Sequence, residues 1–161
     1  MAVKLAASMG AEVTVLSTSR GKEQDAVRLG AKRFVSTREP GAVDALAGKF
    51  NLILDTVSAT HDLNKQLALL RNFGILILVG LSPTPFSLEP FALLHGSKRI
   101  AGSNIGGIPE TQEMLDYCAR HGVTADIELI NIQDINEAYE RMLRNDVKYR
   151  FVIDIATSLK V

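Results

Sequence analysis

A single cysteine, Cys118, is the first constraint on this chain of 161 residues. One thiol makes neither a disulfide framework nor a cysteine-built zinc site within the chain. It suits a reducing compartment, and a cytoplasmic location is expected. Neither sign of charge is in excess: 18 Lys and Arg stand against 18 Asp and Glu. The basic residues are scattered as well, which argues against a nucleic-acid groove or an anionic membrane surface as partner. No apolar run approaches membrane-spanning length. The opening residues, Met1 to Val15, lack the ordered charged, apolar and cleavage regions of a signal peptide. There is no internal repeat and no low-complexity stretch.

What is present is an ordinary globular composition, 47% hydrophobic and 22% charged, enough for one domain or one domain with a short extension. Apolar runs and helical patterns alternate along it. Ala2–Ser8 reads as a helix stopped by Gly10, and Glu12–Leu16 as a β-branched buried strand. A helix over Gly21–Leu29 ends at Gly30. Arg33–Val35 is a short strand, Ala42–Ala47 a short helix, and Asn51–Leu54 a strand ending at Asp55. His61–Arg71 reads as a helix with Leu63, Leu67 and Leu70 on one stripe. Ile75–Val79 is a continuous apolar strand stopped by Gly80. After a proline-containing loop, Lys98–Ala101 reads as an edge strand and Pro109–His121 as a helix. Ile127–Ile130 reads as a strand, Asp134–Leu143 as a helix with Ile135, Ala138, Tyr139 and Met142 on one face, and Tyr149–Ile155 as a closing strand. Near-continuous apolar strands imply burial on both faces. The expected fold class is therefore α/β, a three-layer, doubly wound parallel sheet of Rossmann type.

One part of that pattern is missing. A doubly wound nucleotide domain opens with strand, glycine-rich turn and helix. This sequence opens with the helix, and no G-x-G-x-x-G occurs in it; Gly106-Gly107 lacks the spacing. The absent strand belongs between Glu12–Leu16 and Asn51–Leu54. Leaving it out exposes strand edges, at about 1–3 kcal/mol for each buried amide left unpaired. Either the neighbours close up, or another chain fills the slot, or the sequence is a piece of a longer protein. The last is the expectation.

Several stretches carry a family resemblance: Met1–Ala6, Gly10–Val15, Leu29–Ala31, Leu54–Ser58, Leu78–Gly80, Ile100–Ser103, Ile105–Leu115 and Val147–Val152. In this order the chain resembles the zinc-dependent medium-chain alcohol dehydrogenases, in the cinnamyl alcohol dehydrogenase-like branch. The resemblance covers essentially the whole sequence. It implies an incomplete Rossmann-type NADP-binding domain over residues 1–123. Residues 124–161 would be a C-terminal segment that packs with a catalytic domain. The family's catalytic and structural zinc ligands have no counterpart here, so no metal ligand and no catalytic residue is assigned. Alcohol turnover by these residues alone is not expected. The alternative is a stand-alone dimerisation or interaction module derived from such an enzyme.

Candidate cofactor residues follow. In NAD-preferring domains an acidic side chain ends the second strand and binds the ribose hydroxyls. Here that place holds Ser17, followed by Thr18, Ser19, Arg20 and Lys22. Hydroxyls can donate to a 2′-phosphate, cations attract it, and a helix N-terminus adds amides. On the residues alone, a 2′-phosphate pocket and a solvated turn with a helix cap fit equally. The family's NADP-using members look alike here, so the resemblance makes NADP(H) the expected cofactor. By resemblance, Thr56 and Val57 line the adenosine side and ribose, although Thr56 and Ser58 could equally cap the next helix. The resemblance also implies that Val79, Gly80 and Leu81, with Ser103, Asn104 and Ile105, offer main-chain groups to the nicotinamide carboxamide; ordinary turn chemistry is the alternative. Arg150 is implied to reach the pyrophosphate, against a surface salt bridge. His61, His95 and His121 have no ligand spacing. Asp55 reads as structural and Cys118 as a packed thiol. Phe91–Leu94 could form a substrate or membrane patch; the resemblance instead implies that it lies near a homodimer edge formed by Lys98–Ala101.

Overall fold

The computed structural model describes residues 1–144 and 146–159; Asn145, Lys160 and Val161, all in the expected C-terminal segment, lie outside the described residues. Helix α1 (Ala2–Ser8) leads to β1 (Thr14–Ser17). A 3-10 turn at Arg20–Lys22 opens into α2 (Glu23–Arg28), followed by β2 (Arg33–Ser36) and β3 (Phe50–Asp55). Next come α3 (Leu63–Leu69), β4 (Leu70–Leu78), α4 (Pro90–Leu94), β5 (Arg99–Gly102) and α5 (Ile108–His121). The chain ends with β6 (Glu128–Ile130), α6 (Ile135–Leu143), β7 (Phe151–Ile153) and α7 (Ile155–Ser158). Every strand pair among the described residues is parallel. The expected α/β, Rossmann-type architecture is what forms.

The strands fall into three groups, β1-β2, β3-β4-β5 and β6-β7. Among the described residues β1 and β3 each pair on one edge only, the two edges between which the absent strand is expected. The core lies on one side of the three-stranded group. Leu63, Leu67, Leu70 and Leu76 are buried together, and Phe50, Ile53, Leu78, Phe86, Leu93 and Ile100 pack around them. The helical part of the stripe read from the sequence, Leu63 and Leu67 four residues apart, sets α3 on the sheet, while Leu70 joins the cluster from the first position of β4. On β3 the alternate side chains Leu52 and Leu54 stay 52% and 42% exposed, so the burial on both faces inferred from the apolar runs is not reached within this chain. The shared face expected of α6 is only partly buried: Ala138 is inside, while Tyr139 and Met142 are exposed.

Several boundaries differ for identifiable reasons. The helix expected over His61–Arg71 stops at Leu69, and β4 begins at Leu70 with no loop between. Leu70 pairs with Phe50, and the register then shifts before Leu52 pairs with Ile75. Phe73 takes φ 63° in that irregular stretch. Arg71 is therefore a strand residue. Strand pairing at Leu70 outcompetes a further helical turn. The cap of α3 is Asp62, whose carboxylate accepts the Asn64 N–H at 2.9 Å, rather than Thr56 or Ser58. Ala42–Ala47 yields only a 3-10 turn at Asp44–Leu46. The strand expected over Tyr149–Ile155 shortens to Phe151–Ile153, because Asp154 caps α7 by accepting the Thr157 N–H at 3.1 Å. Gly30, at φ +108°, lets the chain turn after α2, and a Cβ there would sit 2.9 Å from Ala7 Cβ of α1.

Ion pairs tie the C-terminal segment to the first helices. Lys4 of α1 and Arg28 of α2 both bind the Asp126 carboxylate, Arg28 at 2.6 Å. Lys148 binds Asp25 at 3.0 Å. Arg141 of α6 reaches Glu128 of β6 at 2.7 Å and lies over the Phe151 ring at 4.8 Å. The Lys4 and Arg28 cations hold Asp126 below its ordinary pKa. The Lys148 ammonium does so for Asp25, and the Lys148 N–H, with Arg141 behind it, for Glu128. A carboxylate whose pKa is depressed by folding stabilises the fold above its unfolded pKa and loses that contribution as pH falls through the folded value. Thermal midpoints should therefore be flat near neutral pH and fall below about pH 4, the ordinary carboxylate range. Asp126→Asn should lower the neutral-pH midpoint and flatten the acid limb. An unchanged acid limb in that variant would remove Asp126 from the account.

Candidate functional site

The C-terminal ends of parallel strands carry ligand sites in doubly wound sheets, and here those ends are tightly organised. β1 ends at Ser17, whose Oγ accepts the Ser19 N–H at 3.2 Å while its carbonyl accepts the Thr37 N–H at 2.9 Å. That second bond joins the end of β2 to the end of β1, in the register Ser17 opposite Ser36. Thr18, Ser19, Arg20, Ser36, Arg38 and Glu39 then line a cleft of about 560 Å³. The Arg20 guanidinium is paired with the Glu39 carboxylate. Lys22 is exposed at the end of the 3-10 turn and does not line the cleft.

At the end of β3 the Asp55 carbonyl accepts both the Val79 and Gly80 N–H groups, at 2.9 and 3.0 Å. Its carboxylate, 2% exposed, accepts the Val57 N–H at 2.9 Å and lies 2.6 Å from His61 Nε2. His61 Nδ1 is 2.7 Å from the Ala59 carbonyl oxygen, and the ring meets Phe86 edge-on at 5.2 Å. Thr60 and Thr84 hydroxyls meet at 2.9 Å. The loops after β3 and β4 are thereby clasped. Gly80 sits so close to the other loop that an added Cβ would lie 2.4 Å from the Val57 carbonyl oxygen.

These contacts bring Thr56 and Val57 beside Val79 and Gly80. Leu81 is almost fully exposed, as is Ile105. The Ser103 N–H donates to the Leu78 carbonyl at 3.0 Å, which sets the start of the Ser103–Ile105 stretch at the end of β4. Arg150 is exposed just before β7, where its carbonyl accepts the Glu128 N–H at 3.0 Å. Among the described residues no hydrogen bond links Arg150 to the loops after β1, β3, β4 or β5. Arg38, Glu39 and His61 were not singled out from the sequence as site residues. The first two could have been found from their place just past a strand adjoining β1.

A larger hollow of about 800 Å³, lined by Gly48, Arg71, Phe73, Phe91, His95 and Lys98 among others, lies at the opposite ends of β3, β4 and β5. Ligands of such sheets bind at the carboxyl ends, so volume does not decide in its favour. Cys118 is buried, with its thiol 3.6 Å from the Met114 sulfur. Among the described residues no three metal-binding side chains come together, and no helix is long and apolar enough to cross a membrane.

The family model for zinc-binding dehydrogenases matches residues 1–120. The chain belongs to that family. Among its zinc-binding dehydrogenase relatives, alcohol dehydrogenase 9 of Catharanthus roseus is 52% identical over 161 residues, 99% of this chain and 45% of the relative. NADP-dependent alcohol dehydrogenase C 1 of Mycolicibacterium smegmatis is 54% identical over 157 residues, 98% of this chain and 45% of the relative. A solved cinnamyl alcohol dehydrogenase from Sorghum bicolor superposes with TM-score 0.93 at 45% identity, covering 98% of this chain and 45% of that one. A second, from Helicobacter pylori in complex with NADP(H), gives 0.85 at 38% identity, covering 99% and 45%. This chain thus spans just under half the length of the zinc-binding dehydrogenases it matches.

Proposed function

We propose that this chain is the cofactor-binding portion of an NADP(H)-dependent alcohol dehydrogenase that interconverts alcohols and aldehydes. The observation that carries the cofactor choice is the end of β1: a hydroxyl, Ser17, stands where NAD-preferring domains place a carboxylate, beside a cleft lined by Thr18, Ser19 and Arg20. A carboxylate there would repel a 2′-phosphate, whereas hydroxyls and a guanidinium donate to it. The residues present also fit the rest of a dinucleotide. Gly80 lets the loop after β4 close directly onto the Thr56 and Val57 main chain. This sets the two loops side by side at the carboxyl ends of the strands, where such sheets bind ligands. Relatives named NADP-dependent and a neighbour solved with NADP(H) support the same reading. They also support it over a stand-alone dimerisation or interaction module.

When bound, NADP(H) would supply the redox chemistry of the alcohol–aldehyde pair. The residues of this chain hold and orient it. Ser17, Thr18, Ser19, Arg20 and Lys22 take the 2′-phosphate. Thr56 and Val57 take the adenosine side and its ribose. Val79, Gly80 and Leu81, with Ser103, Asn104 and Ile105, offer main-chain groups to the carboxamide end. Arg150 closes on the pyrophosphate. Residues 1–123 form the nucleotide domain, and 124–161 pack with a catalytic part. No zinc ligand is assigned to this chain, and turnover by these residues alone is not expected. The outer edge of β5 pairs across a two-fold axis in a homodimer, and the enzyme works in the cytoplasm.

Calorimetric titration with 2′-AMP and 5′-AMP tests the cofactor choice. A preference for 2′-AMP of about tenfold is expected, the lower end of what one hydrogen bond to a charged group contributes. Equal affinity would remove the NADP(H) assignment.

A further inference from the structure

The cleft at the ends of β1 and β2 holds more charge than the Ser17–Lys22 stretch supplies. Two arginines line it, Arg20 from the first loop and Arg38 from the second, and Glu39 lines it with them, its carboxylate bound to Arg20. The backbone fixes this arrangement. Thr37 is bonded to the Ser17 carbonyl, and the Glu39 N–H turns back to the Ser36 carbonyl at 3.2 Å. Arg38 and Glu39 therefore ride on a tight turn anchored to the end of β1. Both members of the ion pair are wet, with side chains 69% and 50% exposed. Such a pair is held weakly and is screened by salt.

We propose that Glu39 is a resident stand-in for a ligand phosphate on Arg20, and that Arg38 is a second cation of the same subsite. The proposal rests on the 2′-phosphate reading above and names the residues that set its strength. A phosphate ester carries close to two negative charges at neutral pH and offers three strong acceptor oxygens. It binds a guanidinium in the same forked geometry as a carboxylate, with greater charge. Its arrival exchanges the carboxylate on Arg20 for phosphate oxygens and turns Glu39 out to solvent. Ser36, Thr18 and Ser19 add hydroxyls around the same space. Glu39 thus lowers affinity for every anion at Arg20, and only a ligand that also engages Arg38 and the hydroxyls recovers the loss. Selectivity for a phosphate held at that one place follows from the competition.

The test is a set of 2′-AMP titrations, with 5′-AMP as the comparison. Glu39→Gln is expected to tighten 2′-AMP by about two- to fivefold, the span of an exposed ion pair, and to leave 5′-AMP unchanged. Arg38→Gln should weaken 2′-AMP by about fivefold. In an Arg20→Gln background the gain from Glu39→Gln should shrink, since Glu39 acts by occupying Arg20. All three side chains are exposed, and unchanged thermal midpoints would confirm intact folding. Unaltered or weaker 2′-AMP binding in Glu39→Gln overturns the stand-in role even if the wild type prefers 2′-AMP. A full gain retained without Arg20 shows simple repulsion and overturns it too. Wild-type indifference between the two nucleotides ends the underlying cofactor reading, and this proposal with it.

Discussion

Gly80→Ala should lower cofactor affinity by about tenfold or more and destabilise the fold by about 1–3 kcal/mol, the usual cost of forcing a methyl into filled space. The obstacle is main chain. The new Cβ would sit 2.4 Å from the Val57 carbonyl oxygen, 2.6 Å from its carbon and 2.7 Å from the Thr56 carbonyl carbon. A flexible side chain could swing away, but these atoms move only if the loop after β3 moves. That loop is pinned: Val57 donates to the Asp55 carboxylate, and Gly80 itself donates to the Asp55 carbonyl. Relief therefore means prising apart the two loops that present Thr56, Val57, Val79 and Gly80. Urea unfolding and NADPH titration of Gly80→Ala read the two effects. Leu81→Ala is the comparison, since Leu81 is 85% exposed and its loss should leave stability within about 0.5 kcal/mol. Wild-type stability in Gly80→Ala would show that the junction has slack.

His61→Ala should destabilise the protein by about 2–3 kcal/mol, the upper part of what leaving a buried hydrogen-bonding group without its partner costs. His61 is 19% exposed at its side chain and Asp55 only 2%, so the carboxylate bears the loss. Deprived of the imidazole, Asp55 keeps the Val57 N–H and little else. The edge contact with Phe86 goes as well. The decisive comparison is Thr60→Ala, which removes the exposed hydroxyl contact to Thr84 across the same two loops. It should cost well under 1 kcal/mol, as an exposed hydrogen bond does. If both variants cost the same in denaturant titrations, the clasp is diffuse and Asp55–His61 is not its centre.

The order of elements was legible because each rests on a local signal. Leu63 and Leu67 mark the inward face of α3, and Ile75–Leu78 marks β4. Ser17 could be read as a departure from a carboxylate because the strand before it is clear. What escaped lies where local preference meets a partner distant in sequence. Arg71 continues a helical pattern, yet pairing of Leu70 with Phe50 draws it into a strand. Residues Leu52 and Leu54 read as buried and are not, since burial depends on what covers the other face. His61 looked like one of three unrelated histidines; its weight comes from Asp55 lying six residues back across a turn. Arg38 and Glu39 matter only because β1 and β2 are neighbours, a fact of topology that no window of sequence contains.

The leucine cluster drawn from α3 and β4 carries a further consequence. Its members, Leu63, Leu67, Leu70 and Leu76, come from one short span of chain joined helix to strand without a loop. Bringing such near neighbours together costs little loop-closure entropy, so this part of the molecule can assemble from its own span, with β3 and β5 laid along it. The β1-β2 pair is closed locally as well, with α2 packed on β2, but among the described residues it contributes no member to that leucine cluster. The α3–β4 unit is thus the frame from which the loops after β3 and β4 extend.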